Sequence, residues 1–198
     1  MPNWCSNILE IEDTCDAIEQ KLANISDEGL FQTLVTTNRA AYYKDSKIPH
    51  LMDVIEDDKY FDWYSHNCNE YGTKWDVHDF DYDNGVFTFD TAWSPPTEFV
   101  GKLSEQYQIN CRLEYSEPGW DVAGIIYFSN GEIVDEESYT YWEYAWKYKP
   151  EELYLELEND DEFCEEEDKI GVTTRYGFDK EVAERILKQY YAYQGQSN

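Results

Sequence analysis

Apolar and polar residues alternate through "SNILEIED", residues 6–13, with Ile8 or Leu9 and Ile11 on the apolar side. A period of two predicts a strand. The period then lengthens. In "TCDAIEQKLANI", residues 14–25, Ile18, Leu22 and Ile25 fall at helical spacing behind Thr14 or Asp13 as the cap. Residues 26–74 are less regular and read as an insert. Within it "LFQTLVTTN" and "IPHLMDVIEDDKYFDWYSHN" read as helical.

The plainest pattern is "WDVHDFDYDNGVFTFDTAW", residues 75–93. Asn84-Gly85 suits a two-residue type I′ turn, where both central positions need φ > 0. An unbroken register from that turn sets Tyr82 opposite Phe87, Phe80 opposite Phe89 and Asp79 opposite Asp90. One face of the hairpin is then aromatic. The other carries Asp79, Asp81 and Asp83, against the cost of opposed like charges. "SPPTEFVGKLSEQY" follows and predicts a helix over 95–107, with Ser94 as cap, Pro95 in the first turn and Phe99, Leu103 and Tyr107 on one stripe. "QINCRLEY" alternates again, with Ile109, Cys111, Leu113 and Tyr115 on one side. "DVAGIIYFSNGEI" is a further strand that ends in a second Asn-Gly turn.

The order through residue 134 is β-α-(insert)-β-β-α-β-β. Without the insert and the last strand it is the split β-α-β-β-α-β pattern, an α+β ferredoxin-like antiparallel sheet with two helices on one face. The other sheet face, with its aspartates, is expected to be open. Residues 135–198 read as an acidic, aromatic, partly helical C-terminal extension. Its terminal helix is placed at 178–193, with Asp179 as cap and Val182, Ile186 and Tyr190 as its stripe.

Charge changes the picture. The 198 residues carry 43 Asp plus Glu against 15 Lys plus Arg, a formal net charge of −28. A small domain needs a net charge of magnitude only about 2–8 for solubility, and excess repels itself. The acids come in blocks: residues 151–168 hold eleven carboxylates and no Lys or Arg, among them Asp160, Asp161, Glu162, Glu165, Glu166 and Glu167. The 34 aromatics exclude a disordered polyanion. The sign of the charge disfavours direct binding to nucleic-acid phosphates or to an anionic membrane. No apolar run approaches the roughly 20 residues of a membrane span, and "MPNWCSN" lacks the basic and apolar regions of a signal peptide. Five widely spaced cysteines without a C-x-x-C suit a reducing cytoplasm.

Four motifs occur in a fixed order: "MPNWCSN" at the start, "YGTKWD" at 71–76, "TAWSPP" at 91–96 and "EPGWDVAG" at 117–124. Together they resemble the YubB-type ferredoxin-like family of phage and plasmid proteins, over about the first two thirds of the chain. The resemblance implies a ferredoxin-like core with an insert after the first helix, and residence on a mobile element in a host bacterial cytoplasm. It implies no activity and no catalytic residues. The acidic 135–168 region is a feature of this chain rather than of the resemblance.

Candidate chemistry is sparse. Asn3, Trp4, Asn7, Lys74, Trp75, Asp76 and Trp93, with Ser94, lie at strand ends. They read as a packing signature or as a pocket where indole rings stack on a base or sugar. His66, Cys68 and His78 are metal-ligand types without zinc spacing, so no metal is assigned. A nucleophilic Cys5 or Cys68 needs an activating neighbour, and a thiolate is disfavoured in this negative field. No P-loop, dinucleotide or nucleophile-elbow motif is present. The expectation is a non-enzymatic, cofactor-free acidic interaction protein. Asp79, Asp81, Asp83, Asp90 and the 160–167 acids would meet a basic host protein or nucleoprotein complex, of the CRISPR or restriction type, in place of nucleic acid. The alternatives are a plain solvated surface, and a nucleotide- or small-molecule-binding protein or enzyme at the Trp4/Trp75/Trp93 cluster.

Overall fold

β1 (Trp4–Ile11) buries Cys5, Asn7 and Leu9 on one side and exposes Ser6 on the other, as its alternation predicts. It is the central strand of a six-stranded sheet in a computed structural model that describes residues 2–12, 16–23, 29–43, 61–159, 171 and 173–196. The other strands are β2 (His78–Asp83), β3 (Val86–Ala92), β4 (Asn110–Glu117), β5 (Val122–Ser129) and β6 (Glu132–Tyr139), in the spatial order β2-β3-β1-β4-β5-β6. β1 pairs antiparallel with β3 and with β4. The first four strands therefore have the ferredoxin-like arrangement, extended beyond β4 by β5 and β6.

Helices α1 (Asp16–Leu22) and α4 (Thr97–Tyr107) pack on one sheet face. Ile18, Phe99, Val100 and Leu103 share a core with Leu9, Phe87, Phe89, Leu113, Ile126 and Phe128. The predicted cap at Asp13 or Thr14 and the expected Ile25 contact lie outside the described residues. α4 begins at Thr97 rather than Pro95, and Ser94 does not cap it. Pro96 stands at the N-cap with φ −85 and ψ 60, where the Thr97 N–H turns back to the Pro95 carbonyl, and the Ser94 hydroxyl donates instead to the Gly72 carbonyl at 3.1 Å.

The insert is part of the core. α2 (Leu30–Leu34) supplies Leu30, Phe31 and Leu34, and α3 (Trp63–Tyr71) supplies Tyr71. A 3-10 turn at Arg39–Tyr42 lies between them. Asp62 caps α3 through the Ser65 N–H, and Gly72 ends it at φ 80. Much of the helix expected over 48–67 falls outside the described residues.

The chain forms two compact units. Unit 1 comprises residues 1–120 and 124–138, and unit 2 comprises 121–123 and 139–198. The change of composition at 134–135 falls inside β6, so the sheet runs past the expected boundary. Unit 2 holds α5 (Tyr141–Tyr148), α6 (Pro150–Asn159) and α7 (Lys180–Gln196). Leu153, Tyr154, Leu157, Phe178, Ile186, Leu187 and Tyr190 form its own core. Thr140 and Glu143 make a reciprocal capping box on α5. Asp179 accepts from the Val182 N–H at 2.8 Å and caps α7, as expected, though the helix runs on beyond 193. None of the helices in the described residues is long and apolar enough to cross a membrane.

Candidate functional site

The sheet order puts β2 at one edge and β6 at the other. β2 exposes Asp79, Asp81 and Asp83, and β6 exposes Glu132, Asp135 and Glu136. Among the described residues no lysine or arginine forms an ion pair with any of these six. α6 adds exposed Glu151, Glu152, Glu156 and Glu158 in unit 2. The α6 acids belong to the 151–168 block marked in the sequence, whereas the β6 acids were not singled out there. Asp160, Asp161, Glu162, Glu165, Glu166 and Glu167 lie outside the described residues.

The hairpin departs from the unbroken register. Tyr82 pairs with Phe87 and Asp81 with Thr88, but His78, not Asp79, pairs with Asp90. One extra residue is accommodated between His78 and Asp81, and Asp79 takes φ 48 there. This is a β-bulge, a common device on edge strands. It breaks the regular spacing expected for Asp79, Asp81 and Asp83 and removes the Asp79–Asp90 opposition. Phe87 and Phe89 are buried as expected, whereas Phe80 and Tyr82 are only half-buried because β2 has no outer neighbour.

The bulge gathers a different set. The ligand atoms of His78, Asp79 and Asp90 all lie within 4.8 Å of one another. His78 Nδ1 is 3.3 Å from Asp79 Oδ2, and the Ser6 hydroxyl donates to Asp90 Oδ1 at 2.9 Å. Trp4 stacks on the His78 ring, with centroids 4.8 Å apart and planes 21° from parallel. The sequence grouped His78 with His66 and Cys68, and the structure separates them. His66 is buried, with Thr37 Oγ1 at 2.8 Å and Asn67 Oδ1 at 3.0 Å from its ring nitrogens.

The four motifs do converge at one end of the sheet, mainly through anchoring contacts. The Trp93 N–H donates to the Asn3 carbonyl at 3.0 Å. Buried Asn7 donates to Cys5 O, Phe89 O and Thr91 Oγ1. Asp76 accepts from the N–H groups of Leu30, Phe31 and Val77 and so caps α2, and burial pushes its carboxyl above the ordinary range. Glu117 accepts from the Gly119 and Trp120 N–H groups. A Cβ at Gly119 would lie 2.4 Å from Asn3 Nδ2, so a larger residue there would push the Asn3 side chain aside. Trp75 and Trp93 contact each other at 5.3 Å between centroids, and the Lys74 ammonium lies over both rings. That separation is already ring-to-ring contact, so no base fits between them. Trp4 stacks on His78. Of Asn3, Trp4, Asn7, Lys74, Trp75, Asp76 and Trp93, Asn7 and Asp76 are committed mainly to backbone groups, and Lys74, Trp75 and Trp93 contact one another. Burial pushes the Cys5 thiol up to about 12, with the Glu117 charge adding to it, which argues against a nucleophile there.

Residues 70–170 match the family model described as the ferredoxin-like domain in Api92-like protein. The chain belongs to this family. The matched stretch is just over half of the 198 residues. It takes in the bulged hairpin, α4 and strands β4 to β6, and begins after β1 and α1. The crystal structure of a protein api92 from Yersinia pseudotuberculosis is similar at 12% identity, over 70% of this chain and 98% of that one, with a TM-score of 0.44. No curated protein matches the chain significantly.

Proposed function

We propose that this member of the family is an acidic interaction protein, and that its target is the basic nucleic-acid-binding surface of a host complex. The observation that carries the reading is the row of exposed carboxylates on edge strand β2, repeated on edge strand β6, with no lysine or arginine paired to them among the described residues. Acids on an edge strand also blunt pairing with other chains. A net charge of −28 exceeds what that task or solubility needs. A polyanionic surface of this kind is steered toward a basic groove by the same long-range field that brings nucleic acid there. The resemblance of the four motifs to the YubB-type proteins of phages and plasmids supplies the setting, a mobile element in a bacterial cytoplasm. In that setting a CRISPR- or restriction-type complex is the useful target. The mechanism is competition and uses no catalytic residue or cofactor.

The test is plating efficiency of a susceptible phage on hosts that carry such a defence system, with and without this chain. It is paired with competition between the purified chain and nucleic acid for the purified complex. Protection is expected, with association that weakens steeply as salt rises, because exposed charges are screened beyond about 8 Å at physiological ionic strength. Neutralising Asp79, Asp81 and Asp83 to Asn, or the six 160–167 acids to amides, should slow association more than it speeds dissociation. Full activity of both folded variants would refute the reading.

A further inference from the structure

We propose that His78, Asp79 and Asp90 bind one divalent first-row transition-metal ion of the zinc type. The site shares Asp79 with the proposed host-facing row, but its test reads metal binding alone and so fails or succeeds apart from that reading.

Two adjacent residues in a regular strand point to opposite faces. The bulge cancels that alternation, so the side chains of His78 and Asp79 meet, with Nδ1 and Oδ2 3.3 Å apart. Asp90 reaches them from the paired strand, and its orientation is fixed by the Ser6 hydroxyl, which donates to Oδ1 at 2.9 Å. The Trp4 ring covers one face of the imidazole. Stacking of this kind locks the ring plane and leaves the in-plane nitrogen lone pair usable.

The donor chemistry selects the ion. Two carboxylates alone suit Mg²⁺ or Ca²⁺, while an imidazole in the set moves the preference toward Zn²⁺ and its neighbours. Three protein ligands with the remaining position open to water is a common zinc arrangement. Bonds of about 2.0–2.2 Å put ligand atoms about 3.4 Å apart in a tetrahedron. The present limit of 4.8 Å therefore needs a contraction of up to about 1.4 Å. The Asp79 side chain, 78% exposed, can swing to make it, and the His78 ring can slide within its plane against Trp4. The surrounding field favours a cation.

The test is titration of the chelator-stripped full chain with Co²⁺, read by visible absorption, then with Zn²⁺ by calorimetry. A 1:1 endpoint is expected, with d–d bands, without thiolate charge-transfer bands, and resistant to millimolar Mg²⁺. His78→Gln should remove the bands and weaken Zn²⁺ binding about tenfold or more. Asp83→Asn, an exposed carboxylate on the same strand, should leave both unchanged, with circular dichroism confirming that each variant is folded. Thiolate bands, equal binding by His78→Gln, or uptake that Mg²⁺ sweeps away would each overturn the site.

Discussion

His78, not Asp79, stands across the strand pair from Asp90, because one extra residue is housed in β2 with Asp79 at φ 48. Left-handed backbone is tolerated by Asp and Gly and strongly resisted by β-branched residues. Asp79→Val is therefore expected to cost about 1–2 kcal/mol in urea denaturation, and Asp79→Gly to be neutral or mildly stabilising. In an unbroken strand the order would reverse, since valine favours a pleated strand and glycine weakens it. The two variants measured side by side decide between the registers.

Asp76 gives a pH signature. Burial raises its carboxyl in the folded chain, although three backbone N–H groups favour the ionised form. The native state then binds its proton more tightly than the unfolded chain, where a carboxyl titrates near about 3.9. From there up to the raised native value, this group makes stability fall as pH rises. Asp76→Asn removes that contribution. The stability of the wild type minus that of Asp76→Asn is expected to decrease as pH rises from the unfolded value of about 3.9. An increase across that window would show that the N–H donors outweigh burial.

Trp93 and Phe99 separate surface stacking from core packing. Trp93 is 41% exposed and rests mainly against Trp75, whereas Phe99 is fully buried among Phe31, Tyr71 and the sheet. Trp93→Ala should cost about 1 kcal/mol, the scale of an aromatic pair. Phe99→Ala should cost about 3–5 kcal/mol. Comparable losses in thermal or denaturant unfolding would place Trp93 in the core.

Strand and helix types were legible where a short-range period had one interpretation. Leu9, Phe87, Phe89 and Leu113 alternate with polar neighbours, and all four lie under the helices. Asn84-Gly85 fixed the position of the turn, because the backbone geometry of those two residues is local. In the insert the helical character of Leu30–Leu34 and of the start of Trp63–Tyr71 was legible, but not its place in the core. Leu30, Phe31, Leu34 and Tyr71 join the main core from short helices, and only long-range packing reveals where they go.

By itself, then, the sequence determined the element order, the ferredoxin-like class, the aromatic face of the hairpin and the large negative charge. Each of these depends on residue type or on neighbours a few positions apart. Tertiary structure alone decided that β2 and β6 are the sheet edges, that Asn7 and Asp76 serve backbone groups, and that a bulge turns Asp79 toward His78 and Asp90. These depend on which distant strands pair and in what register, and a slip of one residue reverses the face of every side chain beyond it.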